Sequence, residues 1–94
     1  KQKKATPKDL MAQQMEQVEP GKEITYKLGE IYVKPYITVH RNPDYPGTGK
    51  KFIVYQEAKA SDGSPSGNRG RFWDTNTALE IAAWVLDREG KLFV

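Results

Sequence analysis

Ten consecutive residues, 31–40, alternate between two sets of side chains, and this run constrains the fold more than any other feature of the sequence. One set is Ile31, Val33, Pro35, Ile37 and Val39, and the other is Tyr32, Lys34, Tyr36, Thr38 and His40. Successive side chains of a β-strand point to opposite faces of its sheet, so this period of two predicts a half-buried antiparallel strand. Because Pro35 has no N–H to donate, the strand should lie at a sheet edge or be interrupted there.

Further strands are predicted on both sides of this run. Residues 24–28 read as a brief strand that ends at Gly29, and residues 51–59 as a longer one with Phe52 and Val54 facing inward. Residues 70–73 begin or form a third, and residues 92–94 could add a last short strand. Residues 41–50 and 61–70 are rich in Gly, Pro, Asn and Ser, which predicts exposed loops.

The N-terminal part of the chain predicts a short helix over residues 7–18. Thr6 is a favourable cap, and Pro7 is tolerated in a first turn, where its missing N–H is no loss. Apolar side chains then recur at helical spacing up to Val18, and Pro20 ends the segment. The apolar stripe is narrow, so this helix is expected to lie at the side of the sheet.

A second helix is predicted over residues 77–89. Thr77 and Glu80 match a capping box, and Gly90 stands where a left-handed residue is expected after the helix. Apolar residues form a broad arc on its wheel, so it should cover one face of the sheet. The predicted fold is therefore α+β: an antiparallel sheet of three to four strands, a C-terminal helix packed on one face and a short N-terminal helix.

Composition excludes several kinds of site. The 94 residues include no cysteine, and His40 is the only histidine, so neither a disulfide framework nor a zinc site with soft ligands is expected. No apolar run is long enough to cross a bilayer, and no nucleophile motif accompanies His40. We expect one soluble cytoplasmic domain, 1–94, with a flexible basic stretch at 1–6 and without enzymatic activity, metal or cofactor.

The face of the sheet opposite the C-terminal helix is the main candidate for function. Aromatic rings can stack on unpaired bases, and interleaved cations can bind phosphates. Residues 1–51 carry ten Lys and Arg against six Asp and Glu, which mildly favours an acidic partner. The predicted nucleic-acid-binding residues on this face are Tyr32, Lys34, Tyr36, His40, Lys51, Tyr55, Arg71 and Trp73. Arg69, in the basic loop 61–70, is predicted to join them.

Two alternatives stay open. Tyrosine is common in strands and lysine protects sheet edges, so the same face could be purely structural or covered by the N-terminal helix. The chain could also bind a protein partner or form a homodimer. In that case the surface that contacts the partner would consist of Met11 and Met15 of the first helix together with Trp84. Trp84 lies outside the apolar arc of the second helix.

Two families of nucleic-acid-binding domains share parts of this pattern. The order helix, three strands, helix resembles that of double-stranded-RNA-binding domains, but the basic run expected at the start of their last helix is replaced by residues 76–80, Asn-Thr-Ala-Leu-Glu. Three strands followed by Arg-Phe-Trp-Asp-Thr at 71–75 and an Ala-rich helix resemble the end of plant-type and integrase-type three-stranded DNA-binding domains. The second resemblance implies DNA binding and covers about a fifth of the chain.

Overall fold

The computed structural model of the chain describes residues 5–93 and confirms the predicted α+β class and order of elements. The elements are α1 (Pro7–Glu16), β1 (Glu23–Lys27), β2 (Tyr36–Arg41), β3 (Phe52–Lys59), β4 (Pro65–Thr75), α2 (Ala78–Asp87) and β5 (Lys91–Leu92). The sheet has five strands because the short final strand is present. Of the predicted flexible basic stretch 1–6, residues 1–4 lie outside the described residues.

All neighbouring strands in the sheet are antiparallel, in the order β4-β3-β2-β1-β5. Val39 on β2 pairs with Ile24 on β1 and with Val54 on β3, and Val54 in turn pairs with Trp73 on β4. Residues in register share a face, so these four side chains form an apolar line across four strands.

Both helices pack on this apolar side, which we call the inner face. Buried side chains of α1 and α2 join those of the strands in one hydrophobic cluster. Its members are Met11, Ala12, Met15, Tyr26, Leu28, Ile37, Val39, Phe52, Val54, Ala78, Ile81, Ala82 and Val85. The opposite side, the outer face, carries Glu23, Thr38, His40, Tyr55, Glu57, Arg69 and Arg71, and neither helix covers it.

The starts of the two helices differ. At α1, Asp9 N–H donates to the Thr6 hydroxyl over 3.2 Å, and Thr6 N–H donates to the Asp9 carboxylate over 3.1 Å, so a capping box is formed. At α2, the predicted capping box is wrong, because the Thr77 side chain makes no cap hydrogen bond. Glu80 instead accepts from the Trp73 indole N–H over 3.3 Å.

Helix α2 ends at Asp87, two residues before the predicted end, and the left-handed residue that follows it comes one position earlier than predicted. Glu89, not Gly90, is the left-handed residue, with φ of 59°. Gly90 N–H donates to the Val85 carbonyl and Glu89 N–H donates to the Leu86 carbonyl, which is the Schellman pattern. Gly90 is required for space, since a Cβ there would lie 2.2 Å from Val85 Cγ1.

Strand β2 begins at Tyr36, so the prediction that it starts at Ile31 is wrong. Leu28 N–H donates to the Pro35 carbonyl, which closes the chain on itself and leaves the residues between as a loop. Ile31 and Val33 are 85% and 83% exposed instead of facing the core. Tyr32, predicted on the outer face, packs against the core cluster.

Strand β4 begins at Pro65, although residues 61–70 were expected to form a flexible loop. The strand also contains a bulge: Val54 pairs with Trp73 but Tyr55 pairs with Arg71, so Phe72 is an extra residue. A bulge reverses the alternation of side chains. Trp73 therefore packs against the inner cluster, and its predicted position on the outer face is wrong.

Candidate nucleic-acid interface

A chain of polar and aromatic contacts crosses the outer face from β4 to β1. The Arg69 guanidinium lies 5.4 Å from the centre of the Tyr55 ring and reaches Glu23. Its Nη1 and Nη2 donate to the two Glu23 carboxylate oxygens over 3.0 and 2.9 Å. His40 Nδ1 lies 3.4 Å from the same carboxylate, and the His40 ring stands edge-on to Tyr55.

The forked ion pair controls the charges at this position. Hydrogen bonding to Arg69 lowers the pKa of Glu23 from its ordinary value, despite partial burial, with a smaller contribution from His40. The same hydrogen bond raises the pKa of Arg69. Both groups are therefore held in their charged forms, and both side chains remain 38% exposed.

The outer face also contains buried polar groups. The hydroxyls of Thr25 and Thr38 lie 3.0 Å apart and share a hydrogen bond. The Glu57 carboxylate is buried and accepts from the N–H of Gly67. These groups satisfy one another, so they contribute to the stability of the sheet rather than offering free donors to a ligand.

The most exposed part of the sheet is the middle of β4, residues 67–72. Arg69 and Arg71 lie two residues apart there, opposite Glu57 and Tyr55 of β3, and share the outer face. Arg71 donates to Asp74 over 2.8 Å, and its side chain is 59% exposed. The structure thus brings both predicted arginines together with Tyr55 and His40.

Tyr36 does not offer a free ring, and its predicted exposure is wrong. It is 1% exposed because Phe93 packs edge-on against it, with ring centres 4.9 Å apart. Its hydroxyl donates to the Gly63 carbonyl in the turn between β3 and β4. The sequence pattern placed Tyr36 on the correct face, but the contact with Phe93 could not be anticipated from residues so far apart.

The two predicted lysines lie away from the chain of contacts that begins at Arg69. Lys34 is exposed in the loop between β1 and β2. Lys51 precedes β3, and its ammonium group lies 2.6 Å from the Glu16 carboxylate at the end of α1. We therefore assign neither lysine to the candidate interface.

The predicted protein-contact residues occupy different environments. Met11 and Met15 are buried in the core, so the interpretation of these methionines as an exposed contact is wrong. Trp84 is half-buried beside Phe72 and Trp73, with ring centres 5.4 and 5.3 Å from its own. Arg88 covers the Trp84 ring at 4.0 Å.

Sequence reasoning missed two residues at these sites. Glu23 was not singled out, although it immediately precedes a predicted strand whose alternation places it on the outer face. Phe72 was missed because a bulge leaves no clear signal in a single sequence; its ring is 41% exposed next to two tryptophans.

Residues 5–93 contain no group of three or more His, Cys, Asp or Glu side chains that could hold a metal ion. Within the same range, neither helix is long and apolar enough to cross a membrane. The sequence matches no protein-family profile, and comparisons with curated proteins and with solved structures found no significant similarity.

Proposed function

We propose that this chain is a non-catalytic nucleic-acid-binding domain that contacts the backbone of a duplex through its outer face. The observation that carries the proposal is the exposed middle of β4, where Arg69 and Arg71 stand side by side on a sheet face that neither helix covers. Arginine forks match phosphate oxygens in geometry and charge, so such a pair is suited to contacts with a phosphate backbone.

A duplex is favoured over a single strand because few rings are available for stacking. Tyr32 and Trp73 pack toward the core, and Tyr36 is buried. Tyr55 keeps a partly exposed ring, but Arg69 lies over it. In contrast, β4 is an edge strand of the sheet, and its exposed middle presents arginine side chains that can contact the phosphates of a duplex.

The topology around β4 supports the same proposal. Strands β2, β3 and β4 follow one another in sequence and are antiparallel neighbours, and α2 follows directly on the opposite side. This arrangement agrees with the resemblance of residues 71–75 and the Ala-rich helix after them to the end of three-stranded DNA-binding domains. The resemblance concerns the fold of this segment and identifies no residue that would recognise bases.

Binding would require both arginines to exchange carboxylate partners for phosphates. Arg69 is paired with Glu23, and Arg71 with Asp74, so the outer face offers little free positive charge. We therefore expect weak, salt-dependent binding, with few phosphate contacts and a shallow slope of log K against log salt.

The test is a fluorescence anisotropy titration of labelled duplex and single-stranded oligonucleotides at several salt concentrations. We expect the duplex to bind more tightly, and Arg71→Gln to weaken binding and reduce the salt slope by about 1. Lys8→Gln is the matched control, because it removes the same charge from an exposed position on α1. Absence of binding at low salt, or equal losses in the two variants, would contradict the proposal.

A second candidate function, protein binding, is supported by the aromatic cluster of Phe72, Trp73 and Trp84. Phe72 is 41% exposed on an edge strand, and aromatic residues beside an open edge are typical of protein contacts. Sedimentation velocity over a range of concentrations tests self-association. A dimer that dissociates in Phe72→Ser, with folding retained, would favour this function over nucleic-acid binding.

A further inference from the structure

We propose that the place occupied by the Glu23 carboxylate is a phosphate-binding position of the outer face, and that Glu23 competes with the ligand for Arg69. The inference rests on the proposed function and specifies how that site is regulated. It identifies one residue, Glu23, that reduces affinity and one, Arg69, on which this reduction depends.

The geometry of the pair is that of a bound planar anion. Two parallel N–H···O contacts of 3.0 and 2.9 Å join the guanidinium of Arg69 to both oxygens of Glu23. A phosphate can accept the same fork through two of its oxygens. The Tyr55 ring beneath the guanidinium orients the fork, which would remain in place when the anion is exchanged.

A second donor faces the same position. His40 Nδ1 lies 3.4 Å from Glu23 Oε2, so a ring nitrogen and a guanidinium converge on one anion. The side chains of Glu23 and Arg69 are each 38% exposed, which leaves the position open to an incoming phosphate.

The other acidic residues of the outer face do not compete with a phosphate for Arg69. Glu57 is buried and accepts a hydrogen bond from Gly67 N–H, so it is fixed in the sheet. Asp74 pairs with Arg71 only three residues away, a local contact within β4. Glu23 is distinctive because it reaches Arg69 from β1, across the two strands between them.

The expected effect of removing this competitor is modest and measurable. Glu23→Gln keeps the size of the side chain but replaces the carboxylate, so Arg69 is free to bind phosphate. An exposed ion pair stabilises by about 0.2–1 kcal/mol, which corresponds to duplex binding about 1.4- to 5-fold tighter in the variant.

The experiment is a double-mutant cycle read by anisotropy of a labelled duplex, with wild type, Glu23→Gln, Arg69→Gln and the double variant. We expect tighter binding in Glu23→Gln and no such gain when Arg69 is absent. Glu19→Gln is the matched control, since it removes the same charge from an exposed turn away from the outer face. Circular dichroism verifies folding, and Arg69→Lys, which keeps the charge without the fork, is the substitute if Arg69→Gln unfolds.

The outcomes separate this inference from the function on which it rests. If wild type and Glu23→Gln bind equally, or if Glu19→Gln gains as much, competition by Glu23 is excluded while nucleic-acid binding stands. An equal gain in the absence of Arg69 also overturns the inference, because it would indicate a general charge effect. If no variant binds a duplex at low salt, both proposals fail.

Discussion

At the scale of single residues, the turn after α2 depends on two neighbours with opposite requirements. Gly90 has no room for a Cβ, which would lie 2.2 Å from Val85 Cγ1 and 2.9 Å from the Val85 carbonyl oxygen. We expect Gly90→Ala to lower the free energy of unfolding by about 1–3 kcal/mol, the usual range for overpacking. Urea unfolding measures it, and a loss below the experimental error would contradict the assigned close contact.

A substitution at Glu89 should have the opposite effect on stability. Its φ of 59° is strained for a residue with a Cβ, whereas glycine adopts this conformation freely. We expect Glu89→Gly to raise the free energy of unfolding by about 0.5–1 kcal/mol, since the relief outweighs the entropy that glycine adds to the unfolded chain. The same urea titration tests it, and destabilisation would show that Glu89 makes a compensating contact.

At the scale of elements, the two helix starts provide a matched pair. Thr6 accepts a hydrogen bond from Asp9 N–H, but the Thr77 side chain makes no cap hydrogen bond. We expect Thr6→Ala to cost about 1 kcal/mol of stability and Thr77→Ala less than about 0.5 kcal/mol. Equal costs in chemical denaturation would contradict the difference between the caps.

The loop between β2 and β3 depends on one buried amide. Asn42 Nδ2 donates to the carbonyls of Thr48 and Lys50 over 2.8 and 2.9 Å, and its Oδ1 accepts from Asp44 N–H over 3.0 Å. We expect Asn42→Ala to cost about 2–3 kcal/mol, because it removes three hydrogen bonds and leaves partly buried partners.

Asn42→Asp is the informative comparison for this loop. The carboxylate keeps the acceptor for Asp44 N–H but cannot donate to the two carbonyls. We therefore expect it to be destabilising as well. Wild-type stability of Asn42→Asp in urea would contradict the role assigned to the amide donors.

The same scale shows which elements the sequence could predict. Inner-face positions such as Ile37, Val39, Phe52 and Val54 were predicted because burial imposes alternation on strands. The alternation of residues 31–35 is equally regular, yet that segment is a loop, since periodicity does not reveal where a strand loses its partner. Likewise, Gly and Pro in residues 65–70 indicated a loop, although pairing with β3 makes it a strand.

At the scale of the whole molecule, the outer face was harder to predict than the inner one. The inner face can be predicted from the apolar residues, because hydrophobic burial is non-directional and does not depend on which apolar side chains meet. The outer face depends on specific contacts between distant residues, such as Arg69 with Glu23 and Tyr36 with Phe93. Sequence patterns placed Arg71, Tyr55 and His40 on the correct face, but Arg69 was expected in a loop and is part of β4. The ion-pair partners, which determine how much charge is free, were unknown.

Because one cluster joins both helices to the sheet, ionisation of a single core group should affect the whole fold. Tyr26 is fully buried in that cluster, and its hydroxyl donates to Gln14 on α1 over 3.0 Å. Burial raises the pKa of Tyr26 to about 12 from an ordinary value of 10.0. Below pH 10 the phenol is neutral in the folded and in the unfolded chain. Between about pH 10 and pH 12 only the unfolded chain loses the proton.

Stability should therefore fall as the pH rises through this window, by up to about 1.4 kcal/mol per pH unit from Tyr26 alone. Tyr26→Phe lacks the ionisation and isolates it from other groups that titrate in both proteins. At neutral pH the variant should be less stable by about 1 kcal/mol, because Gln14 loses its donor. The difference in the free energy of unfolding between wild type and Tyr26→Phe, measured by urea unfolding, should shrink and then reverse as the pH becomes more alkaline. Parallel pH profiles of the two proteins would contradict this prediction, because they would show that Tyr26 ionises equally in the folded and unfolded chain.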